Sequence, residues 1–230
     1  INVYANSSSD NDIKISITQL QSEQIEQIAG MTKDALRAVQ TLPSVSVNNE
    51  ASAKYNVRGG TSDENLVLVN GVRVYEPFHL KEDPMTSIGI FNLDMVHKID
   101  FSSGAFSAEY GDALSSVLNI EYKADTQENF SGKVNASMID ANFLTEGSLG
   151  SKGSWIFGLR KSYLEYILKM HGADPSSHPS FYDVQGQVYY EFTPNNKLRL
   201  TAIHSNDDFR YDPTIEFHQF GSRWRINGEN

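Results

Sequence analysis

Past Phe130 the apolar residues fall at every second position, and that spacing restricts the possible folds more than any other feature of the chain. Val134, Ala136 and Met138 alternate with Lys133, Asn135 and Ser137. Val184, Gly186, Val188, Tyr190 and Phe192 alternate with Gln185, Gln187 and Glu191. Leu198, Leu200 and Ala202 alternate with Lys197, Arg199 and Thr201, and Phe220, Ser222, Trp224 and Ile226 with Gln219, Arg223 and Arg225. Side chains two residues apart share one face of a strand, so each segment predicts a strand with an apolar and a polar face. No helix longer than one or two turns is expected in this half. Two architectures use such strands. One is an antiparallel sheet with one face on a core and one in water. The other is a barrel wall with lipid outside and a polar lumen inside. Mean hydropathy is −0.42, and no run approaches the ~20 apolar residues of a spanning helix. That excludes a helical membrane protein and leaves a barrel open, because alternating strands average out as polar.

Connection lengths bear on the choice. Ser151-Lys152-Gly153 and Pro194-Asn195-Asn196 read as tight turns, whereas His171 to Ser180 and Ser205 to Thr214 read as long polar loops. With a short link near Asp140 and two strands within residues 131–150, tight and long connections fall at opposite ends. That is the habit of membrane barrels, with short periplasmic turns and long outer loops.

The first half alternates helices and strands. Lys14 to Thr18 predicts a strand with Ile13, Ile15 and Ile17 on one face. Ser22 is expected to cap a helix through Glu23, Ile25 and Ile28 that stops at Gly30. Thr32 is expected to cap a second, striped by Ala35, Leu36, Val39 and Leu42 and ended by Pro43. Leu66 to Val69 and Val72 to Tyr75 flank Asn70-Gly71, the signature of a type I′ hairpin. Further strands are expected from His97 to Phe101 and from Val117 to Tyr122. Together these make an α+β unit of ordinary domain size.

Composition narrows function. There are 19 Lys+Arg and 29 Asp+Glu, a net charge of −10, and no cysteine. An acidic chain does not neutralise a phosphate backbone, so nucleic acid is not an expected partner. The six histidines are scattered, and no carboxylate cluster has metal-ligand spacing. Asp207-Asp208 with Asp212 read as a solvated acidic loop rather than a calcium site. No G-x-S-x-G, phosphate-binding glycine loop or Rossmann fingerprint occurs. No enzyme, cofactor or metal is therefore expected. Ile1 begins in mid-pattern, which reads as a processed or trimmed start.

Four segments in order resemble the plug of TonB-dependent outer-membrane receptors. They are Asn56 to Gly60 with Asn65 to Tyr75, Phe91 to Phe101 (like N-P-x-x-I-x-x-I-E-V), Ser103 to Gly111 (like K-G-x-x-x-A-x-Y-G), and Val117 to Ile120 (like G-V-I-N-I). Leu42-Pro43-Ser44-Val45 is similar to L-x-x-x-P-G-V, and Ile1-Asn2-Val3-Tyr4-Ala5 resembles the end of a TonB box. The details look closest to Bacteroidetes-type receptors. The chain departs from the family at Ser44 and Ser115-Ser116, where glycine is common, and near Asp94, where proline is common one residue earlier.

The resemblance implies a TonB-box remnant and linker over 1–10, a plug over 11–125, and the first five or six barrel strands over 126–230. Plugged barrels have about 22 strands, and an open edge in lipid is not tolerated. The chain is therefore expected to be an N-terminal piece of a longer protein, or to have its partner strands elsewhere. The implied function is import of a scarce solute across the outer membrane: an iron chelate, cobalamin, an oligosaccharide or a peptide. TonB would add Ile1, Asn2, Val3, Tyr4 and Ala5 to its own sheet edge and pull the plug. Outer-membrane lipid would cover the barrel. Arg58, Gly59 and Gly60 are the expected plug–barrel contacts, with Arg58 paired to barrel carboxylates. Asp63, Glu64, Tyr75, Phe78 and His79 are the expected cargo contacts at the plug apices. Arg160, Lys161, Gln185, Gln187, Arg199 and Arg223 are expected to line the lumen, and Trp155, Tyr163 and Trp224 to form an interfacial girdle. The alternative is a soluble ligand-binding module, an α+β domain joined to a β-sandwich. The direction of the apolar face past Phe130 separates the two.

Overall fold

The computed structural model describes residues 17–28, 34–49, 52–80, 87–106, 110–124, 129–170 and 179–208, and the backbone of 217–219 and 222–224. The front domain runs through β1 (Ile17–Gln21), α1 (Ser22–Ile28), α2 (Ala35–Val39), β2 (Val45–Ser46), β3 (Asn56–Val57), β4 (Asn65–Val69), β5 (Val72–Arg73), β6 (Phe78–His79), β7 (Ile88–Gly89), β8 (Val96–Ser102) and β9 (Ser116–Tyr122). The second half holds β10 (Ser131–Ala136), β11 (Asp140–Ser148), β12 (Gly153–Ser162), α3 (Leu164–Met170), β13 (Ser180–Thr193), β14 (Asn196–Asp208), β15 (Phe217–Gln219) and β16 (Ser222–Trp224).

The front sheet has the order β1-β8-β9-β4-β5, with β4 and β9 parallel and the other neighbours antiparallel. Its hairpin is of the expected type: Asn70 and Gly71 have φ of 50° and 81°, as both central positions of a type I′ turn require. Two helix starts differ from expectation. Ser22 is the first helical residue rather than the cap, and the Gln24 side chain accepts from the Gln21 amide at 3.0 Å. Asp34 caps α2 by accepting from the Leu36 amide at 2.9 Å. Thr32 and Gly30 lie outside the described residues, as do Ile13 to Ser16; the first described strand, at Ile17–Gln21, continues past the expected Thr18. The α2 stripe packs as its spacing predicts, with Ala35, Leu36, Val39 and Leu42 buried.

β10 to β14 form one antiparallel meander in sequence order. Residues 131–150 hold two strands, joined by Ser137 to Ile139. The tight turns fall between β11 and β12 and between β13 and β14, at the end opposite the longer link carrying α3. α3 is seven residues long, within the limit expected for this half. β14 reaches Asp208, so the expected loop from Ser205 starts later than predicted.

The front domain lies against one face of this meander. On β12, Ser154, Ile156, Gly158, Arg160 and Ser162 are buried against it, while Phe157, Leu159 and Lys161 are exposed on the other face. Leu144 and Ile156 from the meander join the front domain's core beside Phe91, Met95 and Tyr122. Phe181 joins a second cluster with Leu80 and Ile88. The opposite face carries Val134, Phe143, Phe157, Leu159, Val188, Leu198 and Leu200, all large, apolar and exposed. Lys161, expected in the lumen, is on this outer face, because it is one residue out of phase with Arg160; its Nζ donates to Ser180 Oγ at 2.8 Å.

Candidate functional site

The inner face of the meander meets the front domain through four polar seams. The first is the hairpin tip. The turn holds Asn70 in the left-handed region, and its side chain reaches two strands: Nδ2 donates to Gln187 Oε1 at 2.7 Å and to Thr201 Oγ1 at 3.0 Å. Its Oδ1 accepts from the Tyr122 amide and, at 3.4 Å, from Arg199 Nη1. The second seam is Gln185, fully buried, which donates to the Ile90 carbonyl at 2.6 Å and accepts from the Tyr122 hydroxyl at 2.6 Å.

The third seam surrounds Asp94. A short helical turn, Leu93–Met95, capped by Asn92, presents Asp94 to the meander. Lys133 Nζ and Asn135 Nδ2 each donate to it at 2.6 Å, and Asn142 Nδ2 donates as well. Burial alone would raise the Asp94 carboxyl; these donors outweigh it and hold the group below its ordinary value. Asn92 and Asn142 pair side by side at 2.7 and 3.2 Å. Gly158 makes this approach possible: a Cβ there would stand 2.5 Å from Asn92 Nδ2 and 2.9 Å from Met95 Sδ.

The fourth seam is charged. Arg160, buried on β12, donates through Nε to Asp183 Oδ2 at 2.7 Å and through Nη2 to the Gly89 carbonyl at 2.7 Å. Asp140 stands 3.9 Å from its Nη1. His79 is fully buried, its Nε2 2.6 Å from Asp183 Oδ1 and its Nδ1 hydrogen-bonded to Asp207. Asp207 thus binds a histidine rather than lining an open acidic loop. Among the described residues no three His, Asp or Glu side chains are grouped to hold a metal ion.

The expected site residues separate by place. Arg160, Gln185, Gln187 and Arg199 face the front domain as anticipated; the Arg223 side chain lies outside the described residues, as do the side chain of Trp224 and residues Ile1 to Ala5. Trp155 is on the outer face, and the Tyr163 hydroxyl donates to the Ser137 carbonyl. Arg58 is exposed, with φ 49°, and lies over Gly104, whose missing Cβ would fall 2.7 Å from Nη1. Among the described residues no carboxylate pairs with it; the buried arginine that meets meander carboxylates is Arg160. Gly59 has φ 84°, and a Cβ on Gly60 would stand 2.5 Å from Ser115 Oγ.

Asp63, Tyr75 and Phe78 come together around a cleft of about 420 Å³, with Lys54, Arg73 and Glu76. Glu64, at the end of the turn Ser62–Glu64, does not line it; its Oε2 would lie 2.5 Å from a Cβ on Gly60. Arg73 lies 4.6 Å over the Tyr75 ring, and Tyr75 is 78% exposed. His79, expected with them as a cargo contact, is instead shut between two meander carboxylates. Asp94, Asn70, Asp183 and Asp207 were not legible as contacts in the sequence. Their one signal was polarity at inward positions of a period-2 strand or at a turn.

The family model for the TonB-dependent receptor plug domain matches residues 9–117. Residues 9–117 belong to the TonB-dependent receptor plug family. The chain is similar in fold to the siderophore receptor PirA from Pseudomonas aeruginosa, at 20% identity and a TM-score of 0.56, covering 83% of this chain and 35% of that one. It is similar also to PirA from Acinetobacter baumannii (18%, TM-score 0.61, 86% and 32%) and to the outer membrane transporter YddB from Escherichia coli (10%, TM-score 0.62, 85% and 33%). The chain spans about a third of the length of these structures. It is a plug domain followed by antiparallel strands that match a TonB-dependent receptor barrel in fold, with the sheet not closed. The meander forms a wall beside the plug.

Proposed function

We propose that the chain is part of an outer-membrane receptor that binds a scarce solute outside and admits it to the periplasm when TonB pulls on the N-terminus and rearranges the plug. The observation that carries this reading is the two-faced wall. Its inner face is polar and committed to the plug, and its outer face is a sheet of exposed Phe, Leu and Val. A soluble sandwich would turn that apolar face onto a second layer. Lipid is the solvent that suits it.

The four seams are polar enough to exchange protein partners for water as the plug moves, while Leu144, Ile156 and Phe181 add apolar hold. Ile1 to Ala5 are the segment TonB would take by strand addition. Solute binds at the cleft of Asp63, Tyr75 and Phe78. Its mixed charge and open aromatic ring suit an amphipathic solute such as an iron chelate, cobalamin, an oligosaccharide or a peptide. The cleft segment leads directly into β6, which lies against the ends of β13 and β14 that carry the longer connections, the end facing outward in this reading.

The test is uptake by cells carrying the intact receptor, offered a panel of those four solute classes. Energy-dependent uptake of one class is expected, with loss of uptake but not of surface binding when residues 1–5 are deleted. Uptake that persists without an energised inner membrane overturns the reading.

A further inference from the structure

The fourth seam does more than fasten the plug. Both ring nitrogens of His79 face carboxylate oxygens, Asp183 from β13 and Asp207 from β14. A carboxylate only accepts, so each nitrogen must donate, and a ring that donates from both nitrogens is an imidazolium. Phe181 stacks on the ring at 4.3 Å between centroids and screens it from water. Behind Asp183 stands Arg160 from β12, with Asp140 from β11 at its far side. From the plug itself, buried Asp34 holds the Gly89 amide, next to the carbonyl that Arg160 grips.

The next residue is caught by the same partner. The Leu80 amide donates to Asp207 Oδ2 at 2.8 Å, and Leu80 has φ 53°. Leucine rarely adopts that left-handed conformation, so the segment relaxes when Asp207 lets go. Leu80 closes the stretch that supplies Tyr75, Glu76, Pro77 and Phe78 to the cleft.

We infer that His79 is a doubly protonated bridge that latches the Tyr75–Leu80 segment to wall strands β13 and β14, and that losing one proton opens the latch. A neutral ring would turn a lone pair on one of the two carboxylates. The sign follows from linkage. Burial lowers the His79 pKa, but the two carboxylates outweigh it, so the latched ring holds its proton above the ordinary value of 6.5. The freed ring titrates near that ordinary value. The latch is therefore at full strength below it and weakens as pH rises from there through the latched pKa. Acid at the cell surface would hold the segment, and alkali would loosen it, with neither solute nor TonB present.

The experiment is hydrogen exchange of the Leu80 amide in the intact receptor, without solute and without TonB, from about pH 5.5 to about pH 9. Rates are corrected for intrinsic base catalysis and referenced to the sheet amides of Leu118 and Ile120. Protection at Leu80 is expected to fall by up to roughly tenfold per pH unit above the ordinary histidine pKa and then level off. Ring nitrogen shifts of His79 at neutral pH are expected to show both nitrogens protonated. His79→Gln is expected to show low protection with no such pH dependence, and Asp207→Asn to move the fall to lower pH. Flat wild-type protection, a neutral ring at neutral pH, or an unchanged pH profile in His79→Gln overturns the inference. The wild-type series stands alone if a variant fails to fold. Because no transport is measured, failure here leaves the uptake reading untouched, and failure of uptake leaves the latch untouched.

Discussion

Ser44 sits at φ 73°, exposed, where the family often carries glycine. Its carbonyl accepts from the Arg58 amide at 3.1 Å, so the turn is held by its neighbour and the Cβ is strained in place. Ser44→Gly is expected to stabilise the plug by about 0.5 kcal/mol after the added freedom of the unfolded chain is counted, and Ser44→Val to destabilise it by about 1 kcal/mol. The urea midpoint of plug unfolding reads both. Asp94 stands next to a second departure from the family pattern, and it has a partner set of its own: Lys133, Asn135 and Asn142. Its native pKa lies below the ordinary 3.8, so its contribution is present above that value and is lost as pH falls through the native pKa. Asp94→Ala is expected to cost about 2 kcal/mol near neutral pH by leaving buried Asn142 short of an acceptor. Unfolding measured from about pH 6 to about pH 3 should show the wild type converging on the variant; a constant gap would mean that the carboxylate is not the tether. The sequence marked both positions as unusual. It could not say which one had a distant partner, because a turn conformation is local and an ion pair across 39 residues is not.

At the scale of elements, what was legible was what chain neighbours decide. The Asn70-Gly71 hairpin, the α2 stripe and the alternation on β10, β13 and β14 came out as their spacing predicts, since turn chemistry and period 2 act within a few residues. Element starts were less legible: Asp34, which caps α2, also accepts at 2.7 Å from the Gly89 amide 55 residues away, a partner that no local spacing reveals. Alternation also tells which residues share a face without telling what that face meets. Thus Asn70 was readable as a turn residue and not as the tip that grips Gln187 and Thr201. Gly158 is the sharpest case. In a strand it reads as a weak spot, yet it is the place where the wall admits the plug's Asn92 and Met95. Gly158→Ala is expected to break the Asn92–Asn142 pair and cost about 1–3 kcal/mol, and Gly158→Val more. Gly186, also on the wall but with its nearest neighbours at 3.7 Å, should accept alanine with little effect. Limited proteolysis of the plug in the assembled receptor compares the two, and equal sensitivity would place the tight approach elsewhere.

For the whole molecule, the decisive property is that one sheet has two faces of opposite character, polar against the plug and apolar on the exposed side. Register fixes it: Phe157 pairs with Gly186, and Val188 with both Trp155 and Leu200, so the outer apolar side chains are cross-strand neighbours rather than scattered exposures. Lys161 belongs to the same face and marks its edge. It lies four residues beyond Phe157, about 14 Å along the strand at ~3.4 Å per residue. Strands tilted by roughly 40° bring that to about 10 Å of depth. A lysine there can extend its amine to the headgroups, and Ser180 already holds it at 2.8 Å. Lys161→Met should therefore change folding into lipid vesicles by less than about 1 kcal/mol. Phe157→Arg, near the middle of β12, should cost about 2–4 kcal/mol in the same urea titration, because no water reaches the guanidinium at that depth. If this face were wetted, the order would reverse: an arginine replacing a 38% exposed phenylalanine would be harmless or would improve solubility. A neutral Phe157→Arg in vesicles would thus remove the lipid from the outer face, and with it the ground for reading the plugged wall as a gate between two compartments.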